Sequence, residues 1–173
     1  MKYLSLLLFM LFINCKSEDT PKTPEALWQD YIATYPEHST DVIPDADFFH
    51  NNEADANRLG QLILAGKKRA GSSLYSLYRK YEMDLPQPGK MQIVTDFDGN
   101  ALALIETIEI DTVPFNQISA AYAAKDMGTE DEALKKWKKA HWDFFESFLS
   151  EMGDKPSGDM LIVCEQFKKV WPE

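Results

Sequence analysis

Gly66-Lys67-Lys68-Arg69-Ala70-Gly71-Ser72-Ser73-Leu74 sets three cations, two glycines and two adjacent hydroxyls directly after the apolar helical run Leu59 to Ala65. Glycine accepts the positive φ that ends a helix sharply. Beyond such a turn, lysine ammonium, serine hydroxyl and bare backbone N–H would converge in a nest for an oxyanion, a carbonyl oxygen or a polar heterocycle. The other reading is a basic helix C-terminus favoured by the macrodipole and followed by a plain turn. Spacing alone leaves both open.

Working outward, Asn52 to Ala65 has Ala56, Leu59, Leu62 and Ile63 on one helical face. A shorter amphipathic helix begins at Pro24-Glu25, carries Leu27, Trp28, Tyr31 and Ile32, and ends near Tyr35-Pro36, with a turn-rich stretch through Pro44. On the other side, Leu74, Leu77, Tyr78 and Tyr81 predict a helix over Ser73 to Tyr81. Leu85-Pro86-Gln87-Pro88-Gly89 then breaks the pattern. Met91 to Thr95 reads as a strand, Asp98-Gly99 as a hairpin turn and Ala101 to Ile110 as the returning strand. Val113-Pro114-Phe115 leads into a helix through Ala123, Glu130 to Met152 forms the longest helix, and Met160 to Lys168 the final strand. Helices wrapped on a small, mostly antiparallel sheet make an α+β domain, and the roughly 150 residues from 25 to 173 suffice for one core.

The N-terminus reads as an address. Met1-Lys2 precedes the apolar run Tyr3 to Ile13, which is shorter than the ~20 residues a membrane-spanning helix needs. It suits a secretory signal. Phe12-Ile13-Asn14-Cys15 resembles a bacterial lipobox, which implies cleavage before Cys15, acylation of that cysteine, and anchoring in the cell envelope, at the outer membrane or surface of a Gram-negative bacterium. Residues 1–15 would then be the signal and 16–24 a tether. Cys164 is the other cysteine, and its apolar run Met160 to Cys164 marks it as a small buried hydrophobe.

The whole chain carries a net charge of −10, and losing Lys2 with the signal makes it more negative. Such a surface repels a long nucleic acid, whose nonspecific binding rests on phosphate neutralisation by Lys and Arg. His38 and His50 show no metal-ligand spacing, so neither a metal nor a cofactor is expected. His141 fits a half-buried histidine between Trp137 and Phe145, although histidine also carries protons near neutral pH. Trp28, Trp137 and Trp142 read as core or interface, and Lys135, Lys136, Lys138 and Lys139 as a solvated stripe paired with acids.

The order of these features resembles an ASCH domain, a member of the PUA-like superfamily. The resemblance rests on the helix-Gly-Lys-Lys-Arg-Ala stretch, Leu85-Pro86 to Gly89 before a strand, and Ile105-Glu106-Thr107 in the hairpin. It continues through Val113-Pro114-Phe115, then Trp137 with His141, Phe144 and Phe145, and ends on Val163-Cys164-Glu165 with Phe167. It covers about Asp47 to Val170. It implies a small PUA-like β-barrel and a pocket for a nucleobase or similar small polar group.

One branch of the family is similar to amidohydrolases that deacetylate N4-acetylcytidine with a lysine, a threonine three residues later and a glutamate after the middle helix. Those positions fall on Lys68, Gly71 and near Asp126, with Glu130 the other acidic candidate. Gly71 has no hydroxyl, so the resemblance implies catalysis only if Ser72 takes that place, with Lys68 as general base and Asp126 as acid/base or anchor. A displacement of ~1 Å costs on the order of a hundredfold in rate. Two functions therefore stand side by side. One is a binding module for a nucleoside-like or small polar ligand, with Lys67, Lys68, Arg69, Gly71, Ser72, Ser73 and Glu130 as its contacts. The other is an amidohydrolase using Lys68, Ser72 and Asp126. RNA binding is a third, permitted by the resemblance and opposed by the charge.

Overall fold

The computed structural model describes residues 21–173; the apolar run expected to be a signal, Cys15 and Lys16 to Thr20 lie outside the described residues. Helix α1 (Pro24–Thr34) starts with the Thr23 side chain accepting from the Ala26 N–H and with proline in its first turn, where a missing N–H costs nothing. Strand β1 (Ala46–Asp47) and helix α2 (Glu53–Leu64) follow, the helix capped by Asn52. Next come strand β2 (Ala70–Leu74), helix α3 (Tyr75–Lys80) and the hairpin of β3 (Met91–Thr95) and β4 (Ala101–Pro114). Helix α4 (Ala120–Met127), helix α5 (Ala133–Glu151) and strand β5 (Leu161–Trp171) complete the order. Among the described residues no helix is long and apolar enough to cross a membrane.

The strands form one sheet in the order β1-β3-β4-β5-β2, antiparallel except for the β1–β3 pair. The α+β class is as expected, but the sheet is not closed into a barrel. Strands β1 and β2 remain its edges, and β1 has only two residues with which to form a ladder. The chain joins these edges through α2, whose Ile63 is fully buried against Val94, Ala103, Ile105 and Phe167. The alternate residues Ile93 and Leu104 point to the other face, onto Leu27, Trp28 and Tyr31 of α1. A larger cluster packs α4 and α5 onto β2 and β5, with Trp137, Phe145, Ile162 and Cys164 inside. Cys164 is 5% exposed, and its thiol pKa is pushed up to about 12, chiefly by burial.

Three expectations change. The segment from Ala70 to Leu74 is a strand rather than a loop and helix start, because it pairs with β5 and buries Ala70 and Leu74. Strand β4 runs four residues beyond Ile110, its Asp111 to Pro114 paired with Cys164 to Leu161. A short 3-10 turn at Phe115–Gln117 then separates it from α4, which starts at Ala120 under a Ser119 cap.

Candidate functional site

Helix α2 ends as its sequence predicts. Gly66 takes φ +67°, and the amides of Gly66 and Lys67 return to the carbonyls of Ile63 and Leu62, the Schellman closure. The bare N–H nest expected beyond it does not form. The Lys68 amide also bonds the Leu62 carbonyl, and the Arg69 amide bonds the Lys125 carbonyl at 2.8 Å. Backbone donors are spent on the turn, so the ligating groups here are side chains.

Lys68 is turned inward and is 4% exposed, whereas Lys67 and Arg69 on either side are exposed. Its ammonium donates to the Asp126 backbone carbonyl at 2.8 Å and to Asp126 Oδ1. Asp126 lies in the last turn of α4 and is 1% exposed. The close approach depends on Gly128, which ends α4 at φ +67°. A Cβ there would stand 3.3 Å from the Lys68 nitrogen and 3.4 Å from the Lys67 carbonyl carbon. We expect Gly128→Ala to destabilise the protein by about 1–2 kcal/mol, combining left-handed strain with this contact; equilibrium denaturation checks it.

Asp126 is the hub. Its Oδ2 accepts from Ser72 Oγ at 2.6 Å and from Trp137 Nε1 at 2.7 Å, and His141 Nε2 stands 3.3 Å away. Burial alone would raise this carboxyl's pKa. The Lys68 ammonium and the His141 imidazole outweigh that and hold it well below the usual carboxylate range. Tyr122 braces the floor, donating to the Gly71 carbonyl at 2.5 Å with its oxygen 3.1 Å from Ser72 Oγ. That leaves the Ser72 proton for Asp126 and presents the Ser72 oxygen as an acceptor.

Lys68, Gly71, Ser72 and Asp126 line a cavity of about 470 Å³. Its walls come from Phe49 and His50 ahead of α2, from Asp55 and Arg58 on α2, and from His141 and Phe144 on α5. The Lys68 ammonium lies 5.4 Å from the Phe49 ring centroid, and the His50 ring packs at a tilt against Phe144, with centroids 4.3 Å apart. The structure thus brings the triad of the sequence reading together. It places the other candidates apart. Ser73 alternates to the opposite face of β2 and bonds Tyr78, while Glu130 is exposed and borders a separate depression with Ala120 and Leu134. Gly71 reaches the cavity, but a Cβ there would meet Phe49 at 3.1 Å.

Sequence reasoning did not connect Trp137 and His141 to Asp126. Their spacing of four residues on α5 puts both rings on one helical face, stacked at 4.2 Å, and was the available signal. Phe49 and His50, in an irregular segment, gave none. Groups of His, Cys, Asp and Glu arranged to hold a metal ion are absent among the described residues.

A family model described as the ASCH domain matches residues 45–171. The crystal structure of an ASCH domain from Lactobacillus crispatus JV V101 is 34% identical, with a TM-score of 0.78, covering 85% of this chain and 93% of that one. A crystal structure of an Enterococcus faecalis V583 protein of the DUF984 family model is 32% identical, with a TM-score of 0.74, covering 84% and 86%. No curated protein sequence matches. By its matched residues and its likeness to these structures, the chain belongs to the ASCH domain family, a branch of the PUA-like domains.

Proposed function

We propose that this ASCH domain binds a nucleoside-like or other small polar ligand in the cavity floored by Lys68, Ser72 and Asp126. One observation carries the reading: Asp126 holds a buried ammonium and a hydroxyl oxygen side by side at the base of a ligand-sized cavity. Two of the three Lys68 N–H bonds go to Asp126, which leaves a third as donor beside the Ser72 acceptor. A carbonyl next to an N–H, as on a nucleobase edge, complements that pair.

Binding is favoured over hydrolysis by where the protons sit. Nucleophilic use of Ser72 needs a neutral amine to take its proton. Here the Lys68 bonds run to Asp126, and the Ser72 hydroxyl faces a carboxylate whose affinity for protons is depressed. Long RNA is opposed by the net charge of −10. Membrane anchoring through Cys15 belongs to the same proposal on the strength of the lipobox-like sequence. Labelling with an alkyne fatty acid followed by mass spectrometry tests it, and an unmodified Cys15 would refute it.

The test is to incubate the protein with N4-acetylcytidine and follow acetate and protein resonances by NMR, beside Lys68→Ala and Ser72→Ala. The expected result is ligand-induced shifts without acetate release, at least tenfold weaker in Ser72→Ala and absent in Lys68→Ala. Acetate release lost in both variants would make the protein an amidohydrolase instead. Tight, salt-dependent binding of RNA oligonucleotides without nucleoside binding would favour the third reading.

A further inference from the structure

The mouth of the cavity carries the His50 imidazole beside the charged side chains Asp55, Arg58 and Asp143. The Asp55 backbone N–H donates to Asn52 Oδ1 at 3.0 Å, and a backbone amide can only donate, so the orientation of the Asn52 amide is determined. Its Nδ2 then points at His50 Nδ1, 2.9 Å away, and also donates to Asp55 Oδ2 at 3.1 Å. Nδ1, with Asp55 Oδ2 farther off at 3.7 Å, then accepts from the amide, which assigns the ring proton to Nε2. His50 lines the cavity together with its neighbour Asn51. The ring packs at a tilt against Phe144, and its backbone holds φ +79°, left-handed geometry that a side chain adopts at some cost.

The charges around it are all spoken for. Arg58 is engaged by Asp55 at 2.7 Å, Asp143 by Lys139 at 2.7 Å, and Lys68 by Asp126. A phosphate entering here would meet an Arg58 whose charge is already offset by Asp55, and would sit close to the carboxylates of Asp55 and Asp143. Resting on the binding reading above, we propose that His50 is a specificity-determining residue, which presents a neutral Nε2–H to the ligand and, with these paired charges, selects an uncharged nucleoside-sized ligand over its phosphorylated form.

Protonation would place a second N–H against the Asn52 amide and break the arrangement. Burial lowers the His50 pKa, joined by Arg58 and His141, while Asp55 and Asn51 favour the cation less strongly. The lowering favours the neutral ring and moves its charging to lower pH than for a free histidine. Binding should accordingly be level from pH 8 to 7 and decline only on stronger acidification.

The experiment compares cytidine with cytidine 5′-monophosphate by calorimetry at low salt, on the unaltered protein and on His50→Phe, which keeps an aromatic ring against Phe144 without the donor. Cytidine should bind at least tenfold more tightly than the monophosphate and lose about tenfold in His50→Phe. Equal or tighter binding of the monophosphate would overturn the proposed selectivity while leaving the cavity a binding site. Binding of neither would remove the binding reading and this inference together. Imidazole 15N shifts of the unaltered protein test the tautomer without any ligand or variant. A neutral ring protonated at Nε2 is expected at pH 7, and an imidazolium or an Nδ1–H form would overturn the proposal.

Discussion

Replacing Asp126 by alanine should lower stability by about 3–5 kcal/mol, the cost of leaving one partner of a buried ion pair without the other. Three donors lose the carboxylate at once: the Lys68 ammonium, which keeps only the backbone carbonyl of residue 126, the Trp137 indole N–H and the Ser72 hydroxyl. For a domain of this length that corresponds to a fall of roughly 10 °C in Tm, readable by thermal denaturation. The combination of Lys68→Met with Asp126→Asn should recover much of the loss, because no buried charge remains. A Tm within about 2 °C of the parent for Asp126→Ala would mean that the hub does not exist in solution.

The same carboxylate gives the protein an acid limit. Its pKa is lower in the folded chain than the unfolded value of about 4, so the unfolded state takes up the proton first. Its contribution is whole above that pH and is lost as the pH falls toward the depressed folded value. Stability should therefore decline on acidification below about pH 4, and Asp126→Asn should flatten that part of the curve.

The second large effect is expected at Trp137, which is fully buried between Phe115, 5.0 Å away, and His141. Trp137→Ala opens a cavity in the α4–α5 cluster and should cost about 3–5 kcal/mol in denaturant unfolding. Trp137→Phe keeps most of the ring area but removes the N–H on Asp126, and about 1–3 kcal/mol should go with that bond. The difference between the two variants separates filling of the core from support of the site. If Trp137→Phe costs nothing, the indole is merely a filler and Asp126 is held by Lys68 and Ser72 alone.

Much of this was legible in the chain before any coordinates. Amphipathic spacing marked α1, α2 and α5, and Asp98-Gly99 marked the β3–β4 hairpin, where Gly99 takes φ +86°. These signals are local, and local signals survive translation into sequence. Strand β2 was not legible, because Ala70-Gly71-Ser72-Ser73 has little intrinsic strand preference and is extended only by its ladder with β5. The open sheet was missed for a related reason. Closure depends on whether two short edges meet, and β1 draws its pairing from Ile93 and Val94, far along the chain.

The candidate site divides in the same way. Lys68 and Asp126 could be named from a family pattern, and Ser72 from its place beside the missing hydroxyl at Gly71. That the amine would pair with the acid rather than with the serine was not readable, because it depends on α4 meeting the Gly66 turn through the bare Cα of Gly128. Lys67, Arg69, Ser73 and Glu130 are chemically apt residues, but strand alternation and exposure turn them elsewhere.

The central claim is that a small polar ligand occupies the cavity around Lys68, Ser72 and Asp126, and the Trp137 indole N–H lies on that carboxylate as a built-in reporter. A 1H–15N titration with cytidine reads it directly. The account predicts a saturable shift of the Trp137 indole resonance that Ser72→Ala weakens at least tenfold and Lys68→Ala removes. An indole resonance unmoved at millimolar cytidine, or shifts confined to the exposed lysines of α5, would contradict it.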